Sequence, residues 1–128
     1  MASQLHKGMI ATILRTTSFV RLYWMTITLI ILAAITGLSL WPLDQLPTVP
    51  GSDKTHHFIA YAALIIPVVL RKPKYWPLIC SSFVFWGGAI ELLQPFVNRY
   101  GEWLDIIANT FGLAFGLMAA MLINRFER

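Results

Sequence analysis

The sequence predicts an all-α integral membrane protein, built as a four-helix bundle with both termini in the cytoplasm. Of its 128 residues, 57% are hydrophobic and only 12% are charged, against about 25% charged in soluble domains. Several apolar runs are long enough to cross about 30 Å of hydrocarbon. Because the basic residues stand beside these runs, they indicate membrane topology and not a nucleic-acid partner.

The apolar runs and their boundaries predict the helices in order. Residues 1–18 are expected to form a cytoplasmic N-terminal tail, either frayed or a short interfacial helix. Residues 19–128 are expected to form one membrane domain. Ser52 is a candidate N-cap and Pro95 should end the third helix. The four predicted membrane helices cover approximately residues 19–40, 53–70, 75–94 and 103–124.

The distribution of basic residues predicts the orientation. In a four-helix topology only Lys54 and Arg99 fall on one side, and eight of the ten basic residues fall on the other: Lys7, Arg15, Arg21, Arg71, Lys72, Lys74, Arg125 and Arg128. By the positive-inside rule, that basic side is cytoplasmic. We therefore expect a membrane protein in which five of the six acidic residues gather at the outer end.

Polar side chains recur at helical spacing near that outer end. An ionised carboxylate is costly in a bilayer, so it should face the protein interior or water and mark a functional site. Three helices each turn a polar face toward the same depth, near the outer surface of the membrane. Arg99 could pair with Glu91 or Asp105. The expected ligand-binding residues are Asp53, Lys54, His57, Tyr61, Glu91, Gln94, Arg99, Asp105 and Asn109. Gly112 and Gly116, by contrast, are interpreted as packing residues.

These residues, in this order, resemble the VanZ-like family of small bacterial membrane proteins. The resemblance rests on Asp53-Lys54-x-x-His57-Phe58-x-x-Tyr61, on Gly87-x-x-x-Glu91-x-x-Gln94, and on Arg99, Asp105, Asn109 and Gly112. It covers about the last three helices, and the order of elements fits the whole chain. The family is named for a protein associated with resistance to the glycopeptide teicoplanin. The resemblance therefore implies a protein of the bacterial cytoplasmic (inner) membrane with a role at the cell envelope.

Three functions remain open from the sequence. The first is a module that binds a membrane lipid, a lipid-linked envelope component or an amphiphilic glycopeptide, with Lys54 and Arg99 meeting an anionic head. The second is an enzyme acting on a lipid head group, with His57 and Glu91 as acid/base candidates. The third is a membrane scaffold. His57, Glu91 and Asp105 are suitable ligand types for a metal. Because HExxH and cysteine pairs are absent, however, we expect no metal and no cofactor.

We predict that the N-terminal tail, the turn around Lys74 and the C-terminus lie in the cytoplasm. Single cysteines at Thr48, Lys74 and Asn98, introduced into a Cys80→Ser background, test this with an impermeant thiol reagent on intact cells. Thr48→Cys and Asn98→Cys should be labelled and Lys74→Cys protected. The reverse pattern would contradict the orientation.

Overall fold

The computed structural model describes the backbone of residues 1–128 and every side chain except that of Leu43. The fold is all-helical over this range, with five α-helices and two short 3₁₀ turns at Leu43–Gln45 and Gln94–Val97. The helices are α1 (Ala2–Leu22), α2 (Trp24–Ser39), α3 (Asp53–Arg71), α4 (Trp76–Leu93) and α5 (Trp103–Phe126). The all-α prediction is therefore confirmed.

The predicted helix 19–40 is wrong in detail, because the chain breaks at Tyr23 between α1 and α2. The two helices meet at a bend of 78°. A straight continuation would carry α1 into water together with Leu5, Met9 and Ile13, which are all exposed on its surface. Since an amphipathic helix of this kind is stable along a membrane surface, the bend suits an interfacial position for α1.

Two segments are each long and apolar enough to cross a membrane, namely Trp76–Val97 and Trp103–Phe126. The bent pair of α1 and α2 meets the same criterion when taken together. Many of their large apolar side chains are exposed, as at Phe85 and Phe111, which suits contact with lipid. The fold is thus compatible with a membrane protein of two or three such spans. The predicted span over residues 53–70 corresponds to α3, which does not meet this criterion. The four-span bundle therefore stays a prediction.

α3 forms the centre of the fold. Ser52 caps its start, where the hydroxyl accepts a hydrogen bond from Thr55 N at 3.2 Å, and this confirms the predicted N-cap. α3 packs against α5 most extensively and also contacts α1, α2 and α4. Its side chains Leu64, Val68 and Val69 are fully buried. Because neighbouring helices cover most of α3, it can bury the polar side chain of His57, which is 7% exposed.

The contact between α3 and α5 depends on two glycines. A β-carbon on Gly112 would lie 2.3 Å from Phe58 O, and one on Gly116 would lie 2.3 Å from Ala62 O. The backbones of the two helices are therefore closer than any side chain would permit. This agrees with the interpretation of Gly112 and Gly116 as packing residues.

A second set of contacts joins α1 to the far ends of α3 and α5. Arg21 donates to Leu70 O at 3.1 Å and to Asn124 Oδ1 at 2.8 Å, and it forms an ion pair with Glu127. Thr17 Oγ1 donates to Glu127 Oε1 at 2.7 Å. Burial would raise the pKa of Glu127, but these hydrogen bonds and the Arg21 charge outweigh it and lower that pKa. We call these contacts the basic-end clamp.

We predict that Gly112→Ala destabilises the fold by about 1–3 kcal/mol, because the added methyl group overpacks the contact with α3. Gly37→Ala is the matched control, since a β-carbon there meets nothing within 4 Å and alanine is the better helix former. The free energies of unfolding of both variants can be measured in detergent. Equal effects of the two substitutions would show that the close approach is not essential.

We also predict that the basic-end clamp weakens at low pH. Because the pKa of Glu127 is lowered in the folded protein, its stabilising contribution is complete above the pKa of an unfolded glutamate, about 4.3. The contribution is lost as the pH falls through the lowered value. Melting temperatures of the parent and of Glu127→Gln should differ most near neutral pH and converge in acid. A constant difference across this range would exclude the ionised carboxylate as the source of the stabilisation.

Candidate functional site

The starts of α3 and α5 bring the predicted polar residues together. Five side chains are buried there, with 1–7% of their surface exposed: His57, Glu91, Gln94, Asp105 and Asn109. Asp53, Lys54 and Glu102 lie over them at the protein surface. We call these eight residues the polar cluster. Their role in binding stays a prediction.

Asn109 fixes the orientation of the His57 ring. His57 Nδ1 lies 2.9 Å from Asn109 Oδ1. An amide oxygen can only accept a hydrogen bond, so Nδ1 carries the proton. In the neutral ring Nε2 then presents its lone pair, and it lies 3.8 Å from both Asp53 Oδ2 and Asp105 Oδ2. The ring nitrogen therefore faces two carboxylates at more than hydrogen-bond distance.

Lys54 links α3 to the corner between α4 and α5. Its ammonium group lies 2.6 Å from Glu102 Oε2 and 3.6 Å from Asp105 Oδ1. The first pair is half exposed, whereas the Asp105 side chain is almost fully buried. Lys54 therefore offsets part of the negative charge of the cluster and is already engaged by two carboxylates.

The corner itself closes over Glu91. Glu102 N donates to Glu91 Oε2 at 3.1 Å. A β-carbon on Gly101 would lie 2.4 Å from Glu91 O, so only glycine permits this approach of the corner to the end of α4. The Glu91 carboxylate is thus held between α4 and the start of α5.

Gly87 and Tyr61 complete the buried wall behind the cluster. Tyr61 is 1% exposed. A β-carbon on Gly87 would lie 3.1 Å from both Tyr61 Oη and Asn109 Nδ2. Gly87 therefore leaves room for these two polar groups, on the same face of α4 as Glu91.

Arg99 lies apart from these side chains. It donates to Trp41 O at 3.5 Å, and the ion pairs in the described part of the chain do not include it. Gln94 also reaches the end of α2, where its Nε2 donates to Ser39 O at 3.2 Å. The expected pairing of Arg99 with Glu91 or Asp105 is therefore replaced by a contact with the loop after α2.

Glu102 and the end of α2 are not among the site residues predicted from the sequence. Glu102 contacts Lys54 through its side chain and Glu91 through its backbone. Glu102 is the only acidic residue in the corner between Pro95 and Trp103, and this could have indicated from the sequence that it belongs to the polar site. The carbonyl groups of Ser39 and Trp41 carry no such signal, because any residue supplies a backbone acceptor.

Four buried side-chain atoms of the cluster have no hydrogen-bond partner within the described residues. They are Glu91 Oε1, Gln94 Oε1, Asp105 Oδ1 and Asn109 Nδ2. Buried polar atoms are almost always paired in folded proteins, and leaving one unpaired costs about 1–3 kcal/mol. The polar cluster therefore contains three acceptors and one donor that the described residues leave unpaired.

Comparison with known proteins identifies a family. No curated protein and no solved structure matches the chain. A family model described as VanZ/LLP1 matches residues 5–124, which is nearly the whole chain. This match confirms the resemblance seen in the sequence motifs, and the protein belongs to the VanZ/LLP1 family.

Proposed function

We propose that the polar cluster faces the outside of the bacterial cytoplasmic membrane and binds the polar head of an envelope amphiphile. The ligand would be a lipid-linked cell-wall component or an amphiphilic glycopeptide. The observation that carries this proposal is the set of four unpaired buried atoms, from Glu91, Gln94, Asp105 and Asn109.

The chemistry of these atoms favours a particular head group. Three of the four are acceptors, so they suit hydroxyl, amide N–H or ammonium donors. Sugars and peptides carry such donors, whereas a bare phosphate would be repelled by the neighbouring carboxylates. Lys54 is already paired with Glu102, and Arg99 contacts Trp41. We therefore propose that the ligand is recognised mainly through its donors and not through an anion.

The proposed orientation follows from the positions of the charges. The basic-end clamp ties Arg21 to the ends of α3 and α5, at the opposite ends from the polar cluster. Most of the other basic residues belong to that end by sequence. With this end in the cytoplasm and α3 counted as a fourth pass, both termini are cytoplasmic and the cluster opens outward.

A membrane enzyme is the second candidate. The His57 lone pair at Nε2 is oriented by Asn109 and lies beside two carboxylates, which suits a general base. Turnover of a defined lipid by the purified protein would favour this candidate over simple binding. A pure scaffold would instead tolerate neutral replacements within the cluster.

We predict that this protein, made in a glycopeptide-sensitive Gram-positive host, raises tolerance to teicoplanin more than to vancomycin, because only teicoplanin carries an acyl tail. Glu91→Gln should abolish the difference at equal protein levels, since it removes the charged acceptor but keeps the shape. Growth over a concentration series of each antibiotic provides the measurement. A parent protein without a teicoplanin effect would exclude the glycopeptide ligand for this family member.

A pair of adjacent glycines supplies the control for folding. Gly87→Ala would place a β-carbon 3.1 Å from Asn109 Nδ2, whereas Gly88→Ala meets nothing within 4 Å. Gly87→Ala should therefore reduce the teicoplanin effect, and Gly88→Ala should keep it. Full activity of both Glu91→Gln and Gly87→Ala would support the scaffold.

A further inference from the structure

We propose that Asp53, His57 and Asp105 hold a divalent transition-metal ion, with Zn²⁺ as the best fit. From the sequence we expect no metal, because HExxH and cysteine pairs are absent, and Glu91 stands in the place of Asp53 among the candidate ligands. In the structure, Asp53, His57 and Asp105 each offer one ligand atom, and these atoms lie within 4.8 Å of one another. One imidazole and two carboxylates form a ligand set that zinc accepts.

The distances fit a shared ion. Zinc lies about 2.0–2.2 Å from nitrogen and oxygen ligands, so two ligands of a tetrahedral ion are roughly 3.4 Å apart. His57 Nε2 is 3.8 Å from each of the two carboxylate oxygens. The Asp53 side chain is 58% exposed and free to adjust by about the few tenths of an ångström required. Because the three ligand atoms lie within 4.8 Å of one another, small side-chain shifts would bring them to the distances of a shared ion.

The surrounding hydrogen bonds favour a metal at this position. Metal-binding histidines typically donate their second ring nitrogen to an acceptor, which fixes the lone pair toward the ion. The bond from His57 Nδ1 to Asn109 Oδ1 has this form. Nε2 and one oxygen of each carboxylate lie within 4.8 Å of one another, and a positive charge between these electron-rich atoms would relieve their mutual repulsion.

The buried carboxylate provides an independent observation. His57 and Asp105 are 7% and 1% exposed. These two buried ligands do not pair with each other, because His57 Nε2 lies 3.8 Å, more than hydrogen-bond distance, from Oδ2 of Asp105. Lys54 is the basic residue beside it, at 3.6 Å, and that ammonium group is closer to Glu102. The negative charges of the cluster outnumber its one positive charge, on Lys54, when all four carboxylates are ionised: Asp53, Glu91, Glu102 and Asp105. A divalent cation would therefore reduce the net negative charge of the cluster.

Three protein ligands leave at least one coordination position open, as in catalytic zinc sites. Water or a hydroxyl oxygen of a head group could take that position. Metal binding does not require the proposed amphiphile, so each can be tested without the other.

Zinc binding to the purified full-length protein tests the site. The protein should carry a tag without histidines, be stripped with EDTA in detergent, and be titrated with Zn²⁺ alone. Isothermal titration and elemental analysis should give one tight zinc ion per chain, with a higher melting temperature in its presence. Asn109→Ala, which removes the partner of His57, should weaken binding by about 10–100-fold.

Substitutions of the ligands and matched controls make the test specific. Asp53→Asn alters an exposed ligand, so it should lose tight zinc binding while the protein still folds. Asp105→Asn should do the same where it folds. Asp44→Asn and His6→Ala change an exposed aspartate and histidine outside the site, and both should bind zinc like the parent.

Two results would overturn the metal site. One is a parent protein that binds less than one tight zinc ion per chain. The other is zinc binding by Asp53→Asn that equals binding by Asp44→Asn. Loss of the teicoplanin effect in Glu91→Gln with normal zinc binding would leave the metal site intact, so the two proposals fail separately.

Discussion

The close approach of α3 and α5 determines the geometry of the polar cluster. At Gly112 and Gly116, the carbonyl groups of α3 lie where a β-carbon would otherwise be. His57 precedes Phe58, which contacts Gly112, and Asn109 lies three residues before that glycine. The same contact therefore places His57 Nδ1 2.9 Å from Asn109 Oδ1. Helix packing and site geometry therefore depend on the same contact. A side chain at residue 112 would push α3 and α5 apart and would also separate His57 from Asn109.

The buried carboxylates set the energetic problem that the cluster must solve. Glu91 and Asp105 are 5% and 1% exposed, and a charge in such surroundings is costly unless it is paired. Glu102 N donates a hydrogen bond to one oxygen of Glu91, and Lys54 forms an ion pair with one oxygen of Asp105. The other oxygen of Glu91 has no partner among the described residues. Neutral amides would join the helices at lower cost, so this carboxylate chemistry favours a ligand over a scaffold.

Periodicity predicted most of the helices and the gathering of polar residues, because a helical face is determined by spacing alone. It could not predict the break at Tyr23, where neither proline nor glycine interrupts the sequence and the bend accompanies the contacts of Arg21. Charge alone suggested that Arg99 would join the acidic residues. The conformation of the corner, with Asn98 at a φ of 59°, and the carbonyl of Trp41 are tertiary features that residue types do not reveal.

The two proposed occupants of the cluster use different atoms. The metal would take His57 Nε2 with Asp53 Oδ2 and Asp105 Oδ2. Glu91 Oε1 and Gln94 Oε1 would remain free to accept from a head group. A metal would also neutralise charge that otherwise repels any anionic part of an envelope lipid. Zinc binding would therefore widen the range of acceptable head groups from donor-rich sugars and peptides to those that also carry phosphate, because an open coordination position accepts an oxygen ligand.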